Sequence, residues 1–145
     1  MRAHTFSVLE FDSLLSLLAG YARSEPGAAT VRRFAPLPDT SAVKCEQQRY
    51  ADPMDILADG GILPGIAIED IRPLLKRLEP AGAVLNGDEL LPCRQFLDTV
   101  KSLYAAREQE QFEGRDTLHA EIDSLDPCKA LRDDLHRSIA SDGGI

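Results

Sequence analysis

The stretch NGDELLPCRQFLDTVKSLY, residues 86–104, decides the fold class. Asn86 followed three residues later by Glu89 is a capping-box start for a helix. Behind it Leu90, Cys93, Leu97, Val100 and Tyr104 recur at alternating three- and four-residue steps, the spacing of one helical face. Phe96 and Leu103 stand beside that face and widen it. The pattern predicts a long helix from Asn86 to about Gln111. The same spacing is also that of a heptad, but it spans barely two repeats, and a sustained coiled coil needs about three or four. The stripe Leu90, Cys93, Leu97, Val100, Tyr104 is therefore expected to be structural core, packed within the chain against its first and last helices. The competing reading is a contact with another subunit or a downstream domain.

Outward from this helix the same period repeats. Toward the C-terminus, 112–124 is acidic and holds at most a short helix near Leu118. Asp126-Pro127 then reads as a cap and first turn for a last helix carrying Cys128, Leu131, Leu135 and Ile139. Ser141-Asp142-Gly143-Gly144 is a turn signal. Toward the N-terminus, Ile68, Ile71, Leu75 and Leu78 mark a helix stopped by Pro80. Gly60-Gly61 and Pro64-Gly65 mark a loop. Asp39 or Thr40 caps a helix with Val43, Gln47 and Tyr50, which Pro53 is expected to kink or restart as a short helix to about Leu57. Ser24 with Pro26 opens a helix to about Arg33. Phe11, Leu14, Leu15, Leu18 and Tyr21 share a face of a first helix over 9–21. No alternating strand pattern and no internal repeat occurs. The expectation is a mainly α fold of six or seven helices with no substantial sheet, in three stretches: helical 1–58, loop plus helix 59–85, and long helix plus last helix 86–145.

Composition bounds what such a fold does. At 145 residues, 43% hydrophobic and 28% charged, the chain is long enough for an ordinary core without disulfides or metal. The net charge is −8. Residues 86–145 hold 13 acids and 7 bases, a balance of −6, and residues 1–85 hold 11 and 9, a balance of −2. Affinity for nucleic acid rests largely on Lys and Arg displacing counterions from phosphates, so neither half is built as a strong binder. Three widely spaced cysteines, Cys45, Cys93 and Cys128, without C-x-x-C, fit reduced thiols in a cytoplasmic protein. The N-terminus lacks the apolar run of a signal peptide, and no stretch approaches a membrane span.

Chemistry-bearing motifs are sparse. No G-x-x-x-x-G-K-[ST] and no G-x-G-x-x-G is present, so no phosphate-cradling loop is expected. No serine or cysteine has a base nearby in sequence. Asp133 and His136 share a helical face but lack the further ligands a metal needs, and His4 reads as an unordered terminal residue. The expected catalytic, cofactor and metal residues are therefore none. The basic groupings are Arg32-Arg33 and Arg72, Lys76, Arg77. The last three are the candidate nucleic-acid contacts, although cations near a helix C-terminus also serve its dipole.

The order of short motifs carries further. Leu9-Glu10-Phe11 leads into an apolar helix, followed by Ser24-x-x-Gly27 and Pro36-x-x-Asp39. Then comes Pro64-Gly65-Ile66-x-Ile68-x-Asp70-Ile71-Arg72-x-x-Leu75-x-Arg77, then Gly82-x-x-Leu85 and an acidic cap into a long helix. Leu131-x-x-x-Leu135-x-x-Ser138-Ile139 and Asp142-Gly143-Gly144-Ile145 close the series. Over nearly the whole chain this order resembles the N-terminal region of the type-two bacterial branch of the MutS superfamily. Pro53 and Pro64 depart from the family's pattern.

The resemblance implies that 1–145 is the N-terminal part of a MutS-like core and lever domain, cut at its C-terminal end. It implies a homodimeric parent with a DNA clamp, an ABC-type ATPase using ATP and Mg, and a C-terminal small-MutS-related endonuclease domain. The associated roles are binding of branched DNA, suppression of recombination and, through ribosomal RNA, rescue of collided ribosomes. The partners of this stretch would be the downstream core, clamp and ATPase domains, with no membrane. None of the ATPase or nuclease residues falls on this chain, so the segment itself is expected to be no enzyme and to hold no cofactor. The rival expectation is a free-standing helical protein-interaction module.

Overall fold

A computed structural model describes residues 10–66 and 68–139. Expectations for His4, Leu9, Ser141 to Gly144 and Ile145 lie outside the described residues. Within them the chain forms seven α-helices and one 3₁₀ turn, and no strand. The mainly α expectation holds. The chain separates into two compact units, one of residues 1–36 with 66–70, the other of 37–65 with 71–145.

In the first unit α1 (Phe11–Ala19) packs on α2 (Glu25–Arg32). α2 begins where the sequence places it: Ser24 Oγ accepts from the Gly27 N–H at 3.2 Å, and Pro26 sits in the first turn, where its missing N–H costs nothing. α1 is shorter than its periodicity suggested. It ends at Ala19, and Gly20 turns back to donate to the Leu17 carbonyl at 3.1 Å. The five-residue apolar face is not buried as a set. Leu15 and Ala19 are buried, while Leu14, Leu18 and Tyr21 are exposed. One partner helix of small side chains covers only one side of α1.

In the second unit α3 (Thr40–Ala58) packs on α6 (Asp116–Asp123), and α5 (Gly87–Arg107) packs on both α6 and α7 (Lys129–Ser138). α4 (Arg72–Leu78) is a short helix between them in sequence. The core is two clusters. Ile56, Ala106 and Phe112 form one, with Leu63 and Leu118 against it. Leu97, Leu135 and Ile139 form the other, with Leu90, Cys93, Phe96 and Cys128 against it.

Several boundaries differ from the sequence reading, each for a local reason. α3 runs unbroken through Pro53, capped by Asp39, whose Oδ1 accepts from the Ala42 N–H at 2.9 Å. The proline removes one backbone donor, and packing of Ile56 and Asp52 on α6 and its surroundings holds the following turn. α4 starts at Arg72, not near Ile68, because Pro73 belongs in a first turn. α5 begins with the full Asn86–Glu89 capping box but ends at Arg107 instead of Gln111. The chain then makes a 3₁₀ turn over Glu110–Phe112 that drives Phe112 into the core. α7 starts after Cys128, which stands at the N-cap in a left-handed conformation, φ 38°, without a side-chain capping bond, and not after Asp126. Asp126 Oδ1 instead accepts from the Cys128 N–H at 2.8 Å and closes the turn before the helix.

α6 has no cap of its own, since Arg115 at its N-cap makes no capping bond. Asp52 of α3 does that work from 66 residues away: its Oδ2 accepts from the Leu118 N–H, in the first turn of α6, at 2.9 Å. A carboxylate at this end also suits the helix dipole. Arg115 is released to bridge Asp55 and Asp59, each at 3.1 Å.

Candidate functional site

The three basic residues singled out in the sequence all stand on α4. Lys76 and Arg77 occupy its last turn, where cations meet the partial negative charge of the helix end. Arg77 is also committed to Glu89 in the first turn of α5. That guanidinium, and then the Asn86 backbone N–H, hold the Glu89 carboxyl below the usual carboxylate range. The structure thus brings Arg77 into a capping arrangement at the base of α5. Lys76 projects into solvent.

The stripe of α5 divides along its length. Leu97 and Val100 are buried, Leu90, Cys93 and Tyr104 half-buried. Its partner is α7, running antiparallel. Three polar ties fix the register: Arg94 Nη1 to the Ile139 carbonyl at 2.7 Å, Asp98 Oδ1 to His136 Nε2 at 2.7 Å, and Tyr104 Oη to the Leu125 carbonyl at 2.8 Å. The expected packing against the last helix is found. The first helix belongs to the other compact unit. Cys93 and Cys128 both line this contact, and burial pushes both thiols up, with Asp126 adding to the shift at Cys128. Thiols held protonated are poor nucleophiles. His136 is turned to Asp98, and among the described residues no three His, Cys, Asp or Glu side chains gather as a metal would require.

One open cleft, of about 580 Å³, was not legible in the sequence. Its floor is the end of α5, with Ser102 and Ala106, and its wall is the loop from Gly60 to Gly65. Gln111 pins that loop, its amide donating to the Ile62 carbonyl and accepting from the Ile62 N–H, both at 3.1 Å. No charged side chain lines the cleft. Ser102 spends its hydroxyl on the Asp98 carbonyl of its own helix, at 2.9 Å. The cleft therefore offers amides and backbone but no nucleophile with a base. A signal for it existed in the paired glycines Gly60-Gly61, which read only as a turn. The long-range role of Gln111 had no sequence signature. Among the described residues no helix is long and apolar enough to cross a membrane.

Fold and site together define a mainly helical segment whose polar side chains serve caps, helix ties and loop anchors. No family model matches the chain, and no solved structure matches it. Curated proteins do match. The chain is 34% identical over 145 residues, its full length, to Endonuclease MutS2 of Solidesulfovibrio magneticus, covering 18% of that protein. It is 31% identical over 147 aligned residues to Endonuclease MutS2 of Acetivibrio thermocellus, again covering 18%. A third relative, Endonuclease MutS2 of Gemmatimonas aurantiaca, is 37% identical over 91 residues, 63% of the chain. The chain belongs to the type-two branch of the MutS superfamily, and it spans about 18% of the length of the first two of these relatives.

Proposed function

We propose that this chain is a non-catalytic core segment of an ATP-dependent, DNA-engaging protein of the type-two MutS branch. Its helices would carry movement between a clamp and an ATPase, with ATP and Mg bound by other parts of the parent. Branched DNA is the substrate class, with recombination as the process restrained and collided ribosomes as a further target. The parent would act as a cytoplasmic homodimer. The observation that carries this reading is the full-length match to proteins named Endonuclease MutS2. The engagement of polar side chains in structural ties, Arg94 with Ile139, Asp98 with His136 and Tyr104 with Leu125, supports it. Arg72, Lys76 and Arg77 remain the candidate contacts to nucleic acid, with Lys76 the most open of the three in charge.

A chimera tests the proposal. The chain replaces the matched segment of the Solidesulfovibrio magneticus protein, and DNA cleavage and ATP turnover are measured with and without branched DNA. Both activities are expected to survive, and the 145-residue chain alone is expected to show neither. Turnover that co-purifies with the isolated chain and vanishes on one substitution in it would refute the non-catalytic assignment. The isolated chain should also bind duplex DNA no better than weakly at physiological salt, given its acidic balance. A submicromolar, salt-sensitive affinity would reveal a basic surface at work. The reading as an interaction module draws on the exposed Leu14, Leu17 and Leu18 of α1. It would gain ground if the chimera were inert while the chain alone captured a defined protein.

A further inference from the structure

Asn86 is the sole asparagine of the chain, and a glycine follows it. The Gly87 amide nitrogen can attack the carbonyl carbon of the Asn86 side chain, since residue 87 has no side chain to bar a close approach. A bond from that nitrogen to Cγ forms, the bond from Cγ to the side-chain nitrogen breaks, and ammonia leaves with the Gly87 amide proton. Water then opens the cyclic imide. Opening at Cγ leaves aspartate. Opening at the main-chain carbonyl leaves isoaspartate, with one carbon more in the backbone.

The fold holds every group that must move. Asn86 stands exposed at the N-cap of α5, where water reaches it. Its Oδ1 accepts from the Glu89 N–H at 2.9 Å, which fixes the side-chain amide on the helix end. Its own N–H donates to Glu89 Oε2 at 3.0 Å, and its carbonyl accepts from the Leu90 N–H at 3.1 Å. With ψ at 173°, the Gly87 nitrogen lies anti to the Asn86 nitrogen and is staggered from Cβ. A five-membered imide needs that nitrogen nearly eclipsed with Cβ. Ring closure therefore turns ψ, takes Gly87 out of the first turn of α5 and breaks the cap bond. Glu89 is held in turn from outside α5, by the ion pair of its Oε1 with Arg77 at the end of α4. Arg77 thus acts on Asn86 through Glu89.

We propose that Asn86–Gly87 is a deamidation site, closed by the capping box and opened when the Arg77–Glu89 tie between α4 and α5 lets go. The two products leave different structures behind. Aspartate caps as well as asparagine, and its charge suits the helix N-terminus. Isoaspartate lengthens the backbone where the Leu90 N–H finds its carbonyl, so α5 loses its first turn. Openings of the α4–α5 junction are thereby recorded as a permanent change in the chain.

The 145-residue chain is incubated at mildly alkaline pH, in buffer and in guanidinium chloride. Mass spectrometry of the tryptic peptide carrying Asn86 follows the change of amide to carboxyl, and chromatography separates the two products. Conversion in buffer is expected at least about tenfold slower than in denaturant, since it waits on local opening. Arg77→Ala and Glu89→Gln each remove the ion pair and should speed the folded rate about two- to fivefold, the worth of a partly exposed pair. Glu89→Ala removes the box as well and should speed it further. In denaturant these three should match the parent chain, while Gly87→Ala should be slower there, because it crowds the attacking nitrogen. Leu97→Ala weakens the core about 16 Å along α5 from Asn86 and should leave the folded rate as it is. Equal rates in buffer and in denaturant would overturn the proposal. So would a folded rate that neither Arg77→Ala nor Glu89→Gln changes. A folded rate raised as much by Leu97→Ala as by Arg77→Ala would overturn it too, since global unfolding would then be the gate.

Discussion

Leu97→Ala tests whether the long stripe of α5 is core. Leu97 is 7% exposed and packs with Leu135 and Ile139, half-buried Leu90, Cys93 and Phe96 closing the cluster. The substitution removes three buried carbons, about 2.4 kcal/mol of transfer free energy at about 0.8 kcal/mol per methylene. A cavity term adds to this. Buried leucine truncations span about 2–5 kcal/mol, larger where neighbours cannot relax. Here several neighbours are half-exposed and able to close in, so the cavity term is small and the expected loss is about 3 kcal/mol. Urea denaturation followed by circular dichroism should show a lower midpoint with an unchanged slope, since the surface exposed on unfolding is nearly the same. Amide exchange should localise the loss, with α7 losing protection alongside the middle of α5. A change near zero would refute the reasoning. If self-association were lost instead, the stripe would face a partner rather than α7.

Asp52→Ala should cost about 1 kcal/mol, the usual value of an N-cap, with exchange at the Leu118 amide accelerated. Asp52→Asn, which keeps an acceptor, should recover most of it. Gly61→Ala places a Cβ 2.7 Å from Gln111 Oε1, 2.8 Å from Ile56 Cγ2 and 2.9 Å from the Ile56 carbonyl. The side-chain amide can move but the backbone oxygen cannot, so thermal denaturation should show a loss of about 1–3 kcal/mol, and the Gln111–Ile62 pair should open. Glu89 titrates below its ordinary value because Arg77 and Asn86 favour the carboxylate. A depressed carboxyl stabilises the fold above its unfolded pKa, and that contribution is lost as pH falls through the folded value. NMR titration should therefore find Glu89 low in the native chain, and Arg77→Ala should raise it. An unchanged Glu89 in that variant would mean the ion pair is not formed in solution.

Local chemistry was legible wherever the residues that act are close in sequence. Ser24 with Gly27, Asp39 with Ala42 and Asn86 with Glu89 are all caps closed within one turn; Ser24 and Asn86 stand where their spacing placed them, and Asp39 is the one of its two candidates, with Thr40, that caps. The α period of Leu97 and Val100 also foretold their burial, because a helix facing one neighbour must turn its apolar side inward. The order of motifs was enough to indicate the family, since short matches in fixed succession survive where no single site does. What the sequence left undecided depended on residues far apart along it. Pro53 stays inside a helix because α6 and its surroundings hold the turns on both sides of it. α6 exists as a capped helix because Asp52 reaches it across 66 residues. Gln111 leaves the long helix because Phe112 has a core site to fill between Ile56 and Ala106. Val43 and Tyr50 read as one face of the helix after Asp39, yet the tertiary structure leaves both in solvent. Periodicity states which side chains share a face. Only the packing of other elements decides which face is covered, because burial is a property of the neighbours as much as of the helix.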